Sequence, residues 1–444
     1  MTRVLYWNIN NFSQNKIYDT SSAANRQRSR ERKDHILAIL VQNPPDVFVV
    51  GEVYDRTPEV GFQGITINNT RRVGVACLRL LAKIRRALGA TWFLVPPLKI
   101  GNYGRRESVA VFYNSATLRF TGPWAWCLPP LGLNQSTDPA TLASGQLRSY
   151  PAAWRACLPV PGTPFNAAFT DGLRPVQEWQ AAAQWEFRDR YGARIDFPTV
   201  DDRPPYHVTF LDAAGRTVKI YAIHTSPASA PPAVGALDAI PGIARPGRNE
   251  VTVVIGDFNV DSFGFFAAAY NGLRAAGYEM ALDPDFGGGP RAVREPYCMT
   301  HLIKTELALP YTDNGVPRDP THNVYPRLGY MGGTAIGGRR ATDVGAIDNA
   351  FIRYVLPARR PARFDTTVVN TVVGTPYTGI RPPAAAANLT QNLAYAPSLP
   401  NQVGVGYVPP GGGVIGPMAR LFQTWPEFGV IYSTSDHLGL LVDV

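Results

Sequence analysis

The chain has 444 residues, 45% of them hydrophobic and 11% aromatic, so it can bury a sizeable core and is neither a disordered tail nor a fibrous repeat. Gly (41) and Pro (40) are abundant for a helical protein and suit many strands joined by turns. With 43 Lys plus Arg against 34 Asp plus Glu the net charge is +9, which favours polyanionic partners, nucleic acid or an anionic membrane surface, without choosing between them.

Cys77, Cys127, Cys157 and Cys298 are scattered, with no CxxC or other metal-ligand spacing, and read as small buried hydrophobes. Met1 leads through Thr2 and Arg3 into a strand-like run, and no apolar stretch reaches membrane length. A soluble protein is expected, without integral membrane contact, cytoplasmic or exported without a signal peptide.

In chain order, Val4 to Ile9 reads as a strand that delivers Asn8 to its end. Residues Ser21 to Val41 read as a helix, capped by Thr20 or Ser21, with a basic, solvated stretch Arg26 to Lys33 and a packing face of Ile36, Leu37, Ile39 and Leu40. Asp46 to Val50 is a short buried strand ending in Gly51-Glu52. A second helix covers Val73 to Leu88. Strands follow at Trp92 to Val95, at Ser108 to Tyr113 with Glu107 at its start, at Leu118 to Trp126, and at Leu147 to Ala156 around Arg148.

Between about 157 and 205 the pattern loosens into an insertion with a helix expected over Val176 to Tyr191. His207 to Leu211 and Val218 to Ile223 form a hairpin about Asp212 to Gly215, and His224 stands at its exit. The run Val251 to Asp261, VTVVIGDFNVD, reads as a buried strand whose end puts Asp257 and Asn259 on one side, because strand side chains repeat with a period of two. Phe265 to Ala276 is helical, and a loop-rich region follows to Ala341. Ala346 to Tyr354 is a strand carrying Asp348, 375–417 is a further excursion, and Leu438 to Val444 is the closing strand after Asp436 and His437. One domain over 1–444 is expected, with insertions at about 157–205, 283–340 and 375–417.

The motifs WNIN at Asn8, VVGE at Glu52, IHTSP at His224, GDFN at Asp257 and Asn259, IDNAF at Asp348 and SDH at Asp436 and His437 occur in an order that resembles the endonuclease/exonuclease/phosphatase superfamily, the deoxyribonuclease I-like group. The stretch from Trp92 to Phe120 is similar to the part of deoxyribonuclease I in which a glutamate, here Glu107, backs the first catalytic histidine. Arg148, in LRSYPAAW, matches a phosphate-contacting arginine. The resemblance implies an α+β fold, a four-layer α/β/β/α sandwich with long loop insertions.

It also implies a divalent-metal-dependent phosphodiester hydrolase, foremost a Mg²⁺-dependent DNA endonuclease, with Mn²⁺ as a substitute. His224 with Glu107 and His437 with Asp348 would flank the phosphate, Asp257 would position the water, and Asn259 and Arg148 would bind phosphate. Glu52, Asn8 and Asp436 would serve the metal. The chemistry agrees. Hydrolysis of a diester needs neutralised phosphoryl oxygens, a deprotonated water and a proton for the leaving oxygen. Mg²⁺ takes hard oxygen ligands and few of them from protein. A sphingomyelinase-like or inositol-phosphatase-like activity on the same site, and a non-catalytic binding protein on this fold, stand as alternatives, and an inhibitor or immunity protein as partner is left open.

Overall fold

The computed structural model describes residues 1–54, 66–67, 75–100, 107–122, 125–128, 133–136, 187–188, 194–195, 205–227, 229–262, 265–285, 298, 300–301, 312–313, 316–317, 346–356, 366–369, 430 and 433–444. Its main elements are β1 (Arg3–Phe12), α1 (Gln14–Ile17), α2 (Ala23–Gln42), β2 (Val47–Val53), β3 (Thr66–Ile67), α3 (Val75–Leu88), β4 (Trp92–Ile100), β5 (Glu107–Asn114) and β6 (Leu118–Gly122). They continue with β7 (Tyr206–Asp212), β8 (Thr217–His224), α4 (Ala230–Gly235), α5 (Pro241–Ala244), β9 (Glu250–Asp257), α6 (Asn271–Ala275), β10 (Glu279–Met280), β11 (Asp348–Tyr354), β12 (Thr366–Val369) and β13 (Gly439–Asp443).

Two mixed sheets result, a seven-stranded one in the order β12-β13-β1-β2-β5-β4-β3 and a six-stranded one in the order β10-β11-β9-β8-β7-β6. β1 runs parallel to β2, and β8 runs parallel to β9. Alternation sorts each strand's side chains. On β1, Leu5, Trp7 and Ile9 turn outward and bury against α2 and α3, together with Phe48, Val50, Ala110 and Phe112. On the other sheet Tyr221, Ile223, Val254 and Phe351 turn outward under α4 to α6.

The alternate residues face the opposite sheet. Tyr113 of β5 meets Phe210 of β7 at 5.2 Å between ring centroids, and the Tyr6 hydroxyl accepts from the Asp257 amide at 3.1 Å. The architecture is the expected α+β, four-layer arrangement of helices, sheet, sheet and helices.

Several local expectations change. The α2 cap is Ser22, whose side chain accepts from the Asn25 amide, one residue beyond the expected pair. Phe265 to Ala276 is a 3-10 turn over Phe265–Tyr270 and then α6. The expected helix does not run through Phe187–Arg188, which pairs with Arg194–Ile195 as strand. Short pieces of 157–205 and 283–340 are described, none of 375–417, and Arg148 lies outside the described residues. Cys77 and Cys298 are buried, and among the described residues no helix is long and apolar enough to cross a membrane.

Candidate active site

The site forms where strand ends from both sheets meet. Parity and register place it. His224 ends β8, Asp257 ends β9 and Asp348 begins β11, and they are direct neighbours, with His224 paired to Asp257 and Asp257 to Asp348. All three share the phase that faces the other sheet.

On that sheet Asn8 shares its phase with Tyr6 and is fully buried. Glu52 needs a further device. Simple alternation after Val50 would turn it toward the helices, but the register of β2 shifts between Val50 and Val53, and Glu52 takes a left-handed φ of 51°. This bulge turns the carboxylate back to the site edge. β1 has a matching irregularity before Phe12, with Asn11 at φ 54°. Asn259, at φ 49°, is the remaining non-glycine residue of this kind among those described, so all three border the site.

Asn8 Nδ2 donates to Glu52 Oε1 at 3.1 Å and to Asp257 Oδ2 at 3.0 Å. The imidazoles approach the same Asp257 oxygen from either side, His224 Nε2 at 3.5 Å and His437 Nε2 at 3.6 Å. Each has a carboxylate on its other nitrogen, Glu107 at 2.5 Å from His224 Nδ1 and Asp348 at 2.8 Å from His437 Nδ1. A carboxylate behind an imidazole fixes its tautomer and raises its basicity.

The protonation equilibria follow. Burial, the largest influence on His224, lowers its pKa, but Glu107 by charge and hydrogen bond, with Asp257 and Glu52, carries it up to about 9. Burial likewise opposes charge on His437, and Asp348, Asp257 and Asp436 raise it well above the ordinary value. Asp257 is raised, first by burial and then by Asp348, against the pull of His437 and His224. Burial also works against Asp436, yet hydrogen bonds from His301 and Asn10 and the charges of His437 and His301 hold it below the usual range.

Asn259 donates its backbone N–H to Asp257 Oδ1 at 2.9 Å and its side-chain amide to the Thr225 carbonyl at 2.8 Å. Asp436 stands on the opposite flank from Glu52. It accepts from Asn10 Nδ2 at 2.8 Å and groups with His301 and His437, whereas Glu52 groups with His224 and Asp257.

The carboxylates of Glu52, Glu107, Asp257, Asp348 and Asp436 outnumber the imidazoles among them, and Asn8 Oδ1 is buried without a hydrogen-bond partner among the described residues. A hard cation beside Glu52 would satisfy that oxygen and offset the excess negative charge, so the donor set fits Mg²⁺ or Mn²⁺.

Ser435, Asn10, Thr225 and His301 belong to the site without having been singled out in the sequence. Ser435 Oγ donates to the Asn8 carbonyl and accepts from the His437 amide, and Thr225 N–H donates to the Asp257 carbonyl. Both lie inside motifs, SDH and IHTSP, whose local turns could have signalled them. His301 joins the site through its backbone bridge to His437 and the approach of its Nε2 to Asp436 at 3.8 Å.

No protein-family profile matches the chain, and no curated protein matches its sequence. Its likeness is to solved structures. It is similar to an endonuclease/exonuclease/phosphatase family protein from Leptotrichia buccalis, at 10% identity and a TM-score of 0.40, covering 100% of this chain and 99% of that one. TDP2 of D. rerio, solved with a single-strand DNA product, overlaps at 9% identity and a TM-score of 0.39, covering 99% and 97%. A mannosyl-6-phosphatase from Bacteroides thetaiotaomicron overlaps at 11% identity and a TM-score of 0.36, covering 100% and 99%. At such values the site's own geometry has to carry the function.

Proposed function

We propose that this chain is a divalent-metal-dependent phosphodiester hydrolase of the deoxyribonuclease I-like kind, and specifically a DNA endonuclease working by in-line water attack. The observation that supports it most is the approach of two carboxylate-backed imidazoles, His224 and His437, to one buried oxygen of Asp257. That arrangement can hold a water on a carboxylate and present protonated imidazoles to phosphoryl oxygens.

Asp257 would orient the attacking water and accept its proton. His224 and His437, charged by their carboxylates, would stabilise the phosphoryl oxygens, and either could supply the proton the leaving oxygen needs. Asn259 would bind a phosphoryl oxygen with the amide proton that Thr225 does not take. Glu52 and Asn8 would hold the ion, which when bound neutralises phosphate charge. Asp436, which groups with His301 and His437, would complete the metal site or bridge to it. The charge of +9 favours a polyanionic substrate.

Purified protein should nick supercoiled plasmid with Mg²⁺ or Mn²⁺ and stop in chelator, and should exceed its own rate on RNA, sphingomyelin and inositol phosphates under the same conditions. Nicking that survives His224→Ala combined with Asp257→Ala overturns the assignment. A preference for sphingomyelin or inositol phosphates replaces DNA as the substrate and keeps the chemistry.

A further inference from the structure

His301 has no step of its own in the chemistry above, yet the backbone around it is tied to the site from two directions. Thr300, one residue earlier, accepts the Leu438 amide on its carbonyl at 2.7 Å and the Asp348 amide on Oγ1 at 3.0 Å. His301 itself bridges to His437, which sets the two imidazoles side by side, with 4.7 Å between ring centroids and 54° between planes.

His301 Nδ1 is buried without a hydrogen-bond partner among the described residues, while Nε2 lies 3.8 Å from Asp436 Oδ2. His437 Nε2 lies 3.9 Å from the other Asp436 oxygen. The ligand atoms of His301, Asp436 and His437 are all within 4.8 Å of one another. Ligands held about 2.1 Å from a tetrahedral ion stand roughly 3.4 Å apart, so small side-chain rotations would close the group on an ion.

The surroundings are those of metal ligands. His437 has Asp348 on Nδ1 at 2.8 Å, the arrangement that orients a zinc-bound imidazole. Asp436 is oriented by Asn10 Nδ2 at 2.8 Å. His301 and Asp436 are partly exposed, which gives an ion a way in. The donor kinds set this group apart from the Glu52 and Asn8 flank. Two imidazoles and one carboxylate suit zinc with a further position open to water, whereas Mg²⁺ favours oxygen.

We infer that His301, Asp436 and His437 form a zinc site separate from the Mg²⁺ position, and that zinc bound there silences hydrolysis. Coordination displaces the proton from His437 Nε2, so the imidazole that would stabilise phosphoryl oxygens is withdrawn, and Asp436 with it. The binding half stands on geometry and donor chemistry. The silencing half rests on the hydrolase reading above.

The test is a zinc titration of the full-length protein by calorimetry, with Mg²⁺ in excess. Zinc should bind, and His301→Ala should weaken it at least about 100-fold, beyond what loss of an outer-shell partner costs. Glu52→Gln should bind zinc as the native chain does. Zinc K-edge absorption of the native complex should count two imidazoles, a readout that needs no variant. In plasmid nicking zinc should inhibit the native chain. His301→Ala, measured against its own zinc-free rate, should need at least about 100-fold more zinc for the same inhibition.

The site is overturned if zinc binds no more tightly than Mg²⁺, if absorption counts fewer than two imidazoles, or if His301→Ala, melting like the native chain, keeps its zinc affinity. Affinity lost with Glu52→Gln rather than with His301→Ala puts the ion on Glu52, His224 and Asp257 and overturns it as well. Zinc that binds at His301 without slowing nicking refutes the silencing half. A chain that binds zinc as expected yet cuts no diester in Mg²⁺ refutes the hydrolase reading and leaves the zinc site standing.

Discussion

Asn8 and Asp257, 249 positions apart, are joined across the two sheets by a 3.0 Å hydrogen bond from Nδ2 to Oδ2. The bond ties the metal-facing half of the site to its water-positioning half. Asp257 is buried, beside Asp348, in a setting that disfavours its own charge. Its neutral isostere should therefore relieve the fold while removing the base. Asp257→Asn is expected to lower plasmid nicking at least ~10³-fold and to melt at the native temperature or above it. A melting point several degrees lower, on a thermal scan, would contradict this.

Glu107 acts on the substrate only through His224. Glu107→Gln keeps a hydrogen-bonding group near Nδ1 and removes the charge, so it should cost about 10- to 100-fold in kcat, less than His224→Ala. The pH dependence of kcat separates this from a structural effect. Losing the carboxylate should move the limb that belongs to His224 downward, toward the ordinary imidazole range, because Glu107 is a main cause of its elevation. An unmoved limb would refute the role.

Gly256 precedes the central aspartate, and a Cβ there would lie 2.0 Å from the Ile223 carbonyl oxygen of the neighbouring parallel strand. Backbone cannot swing aside as a side chain can. Gly256→Ala should destabilise the chain by about 3 kcal/mol or more in urea, on the scale of a strained backbone or an overpacked core. A loss below ~1 kcal/mol would show that the strand pair accommodates the methyl group.

His35 packs edge-on against Trp7, and burial lowers its pKa to about 4. The sign is set by the unfolded chain, which takes up a proton near pH 6.5 while the folded one does not until about 4. The contribution is complete above pH 6.5 and is lost as pH falls toward 4, by at most about 3 kcal/mol. His35→Gln should flatten that part of the stability profile from urea melts at pH 7, 5.5 and 4. Some slope should persist from His207, which burial also lowers well below its ordinary value. An unchanged slope would exclude His35 as a cause.

Much of the site was legible in the chain. WNIN lies within β1, GDFN ends a strand, and IDNAF and SDH lead into strands; period-two alternation is a local property, so the inward phase of Asn8, Asp257 and Asp348 follows from sequence. Glu52 was recognised as acidic at a strand end, yet its direction depends on a bulge with positive φ, which a Val-Val-Gly-Glu run does not announce. His301 carried no signal, because its neighbour Asp436 comes from the far end of the chain.

By itself the sequence determined the strands that carry Asn8, His224, Asp257 and Asp348, the phases of those residues and the kinds of group delivered to the edge, since periodicity and side-chain chemistry are set within a few residues. Tertiary structure alone decided that both imidazoles approach one Asp257 oxygen, and that Asp436 groups with His301 and His437 while Glu52 groups with His224 and Asp257. These relations span two sheets. They are fixed by register, by bulges and by how one sheet faces the other, none of which a local pattern encodes.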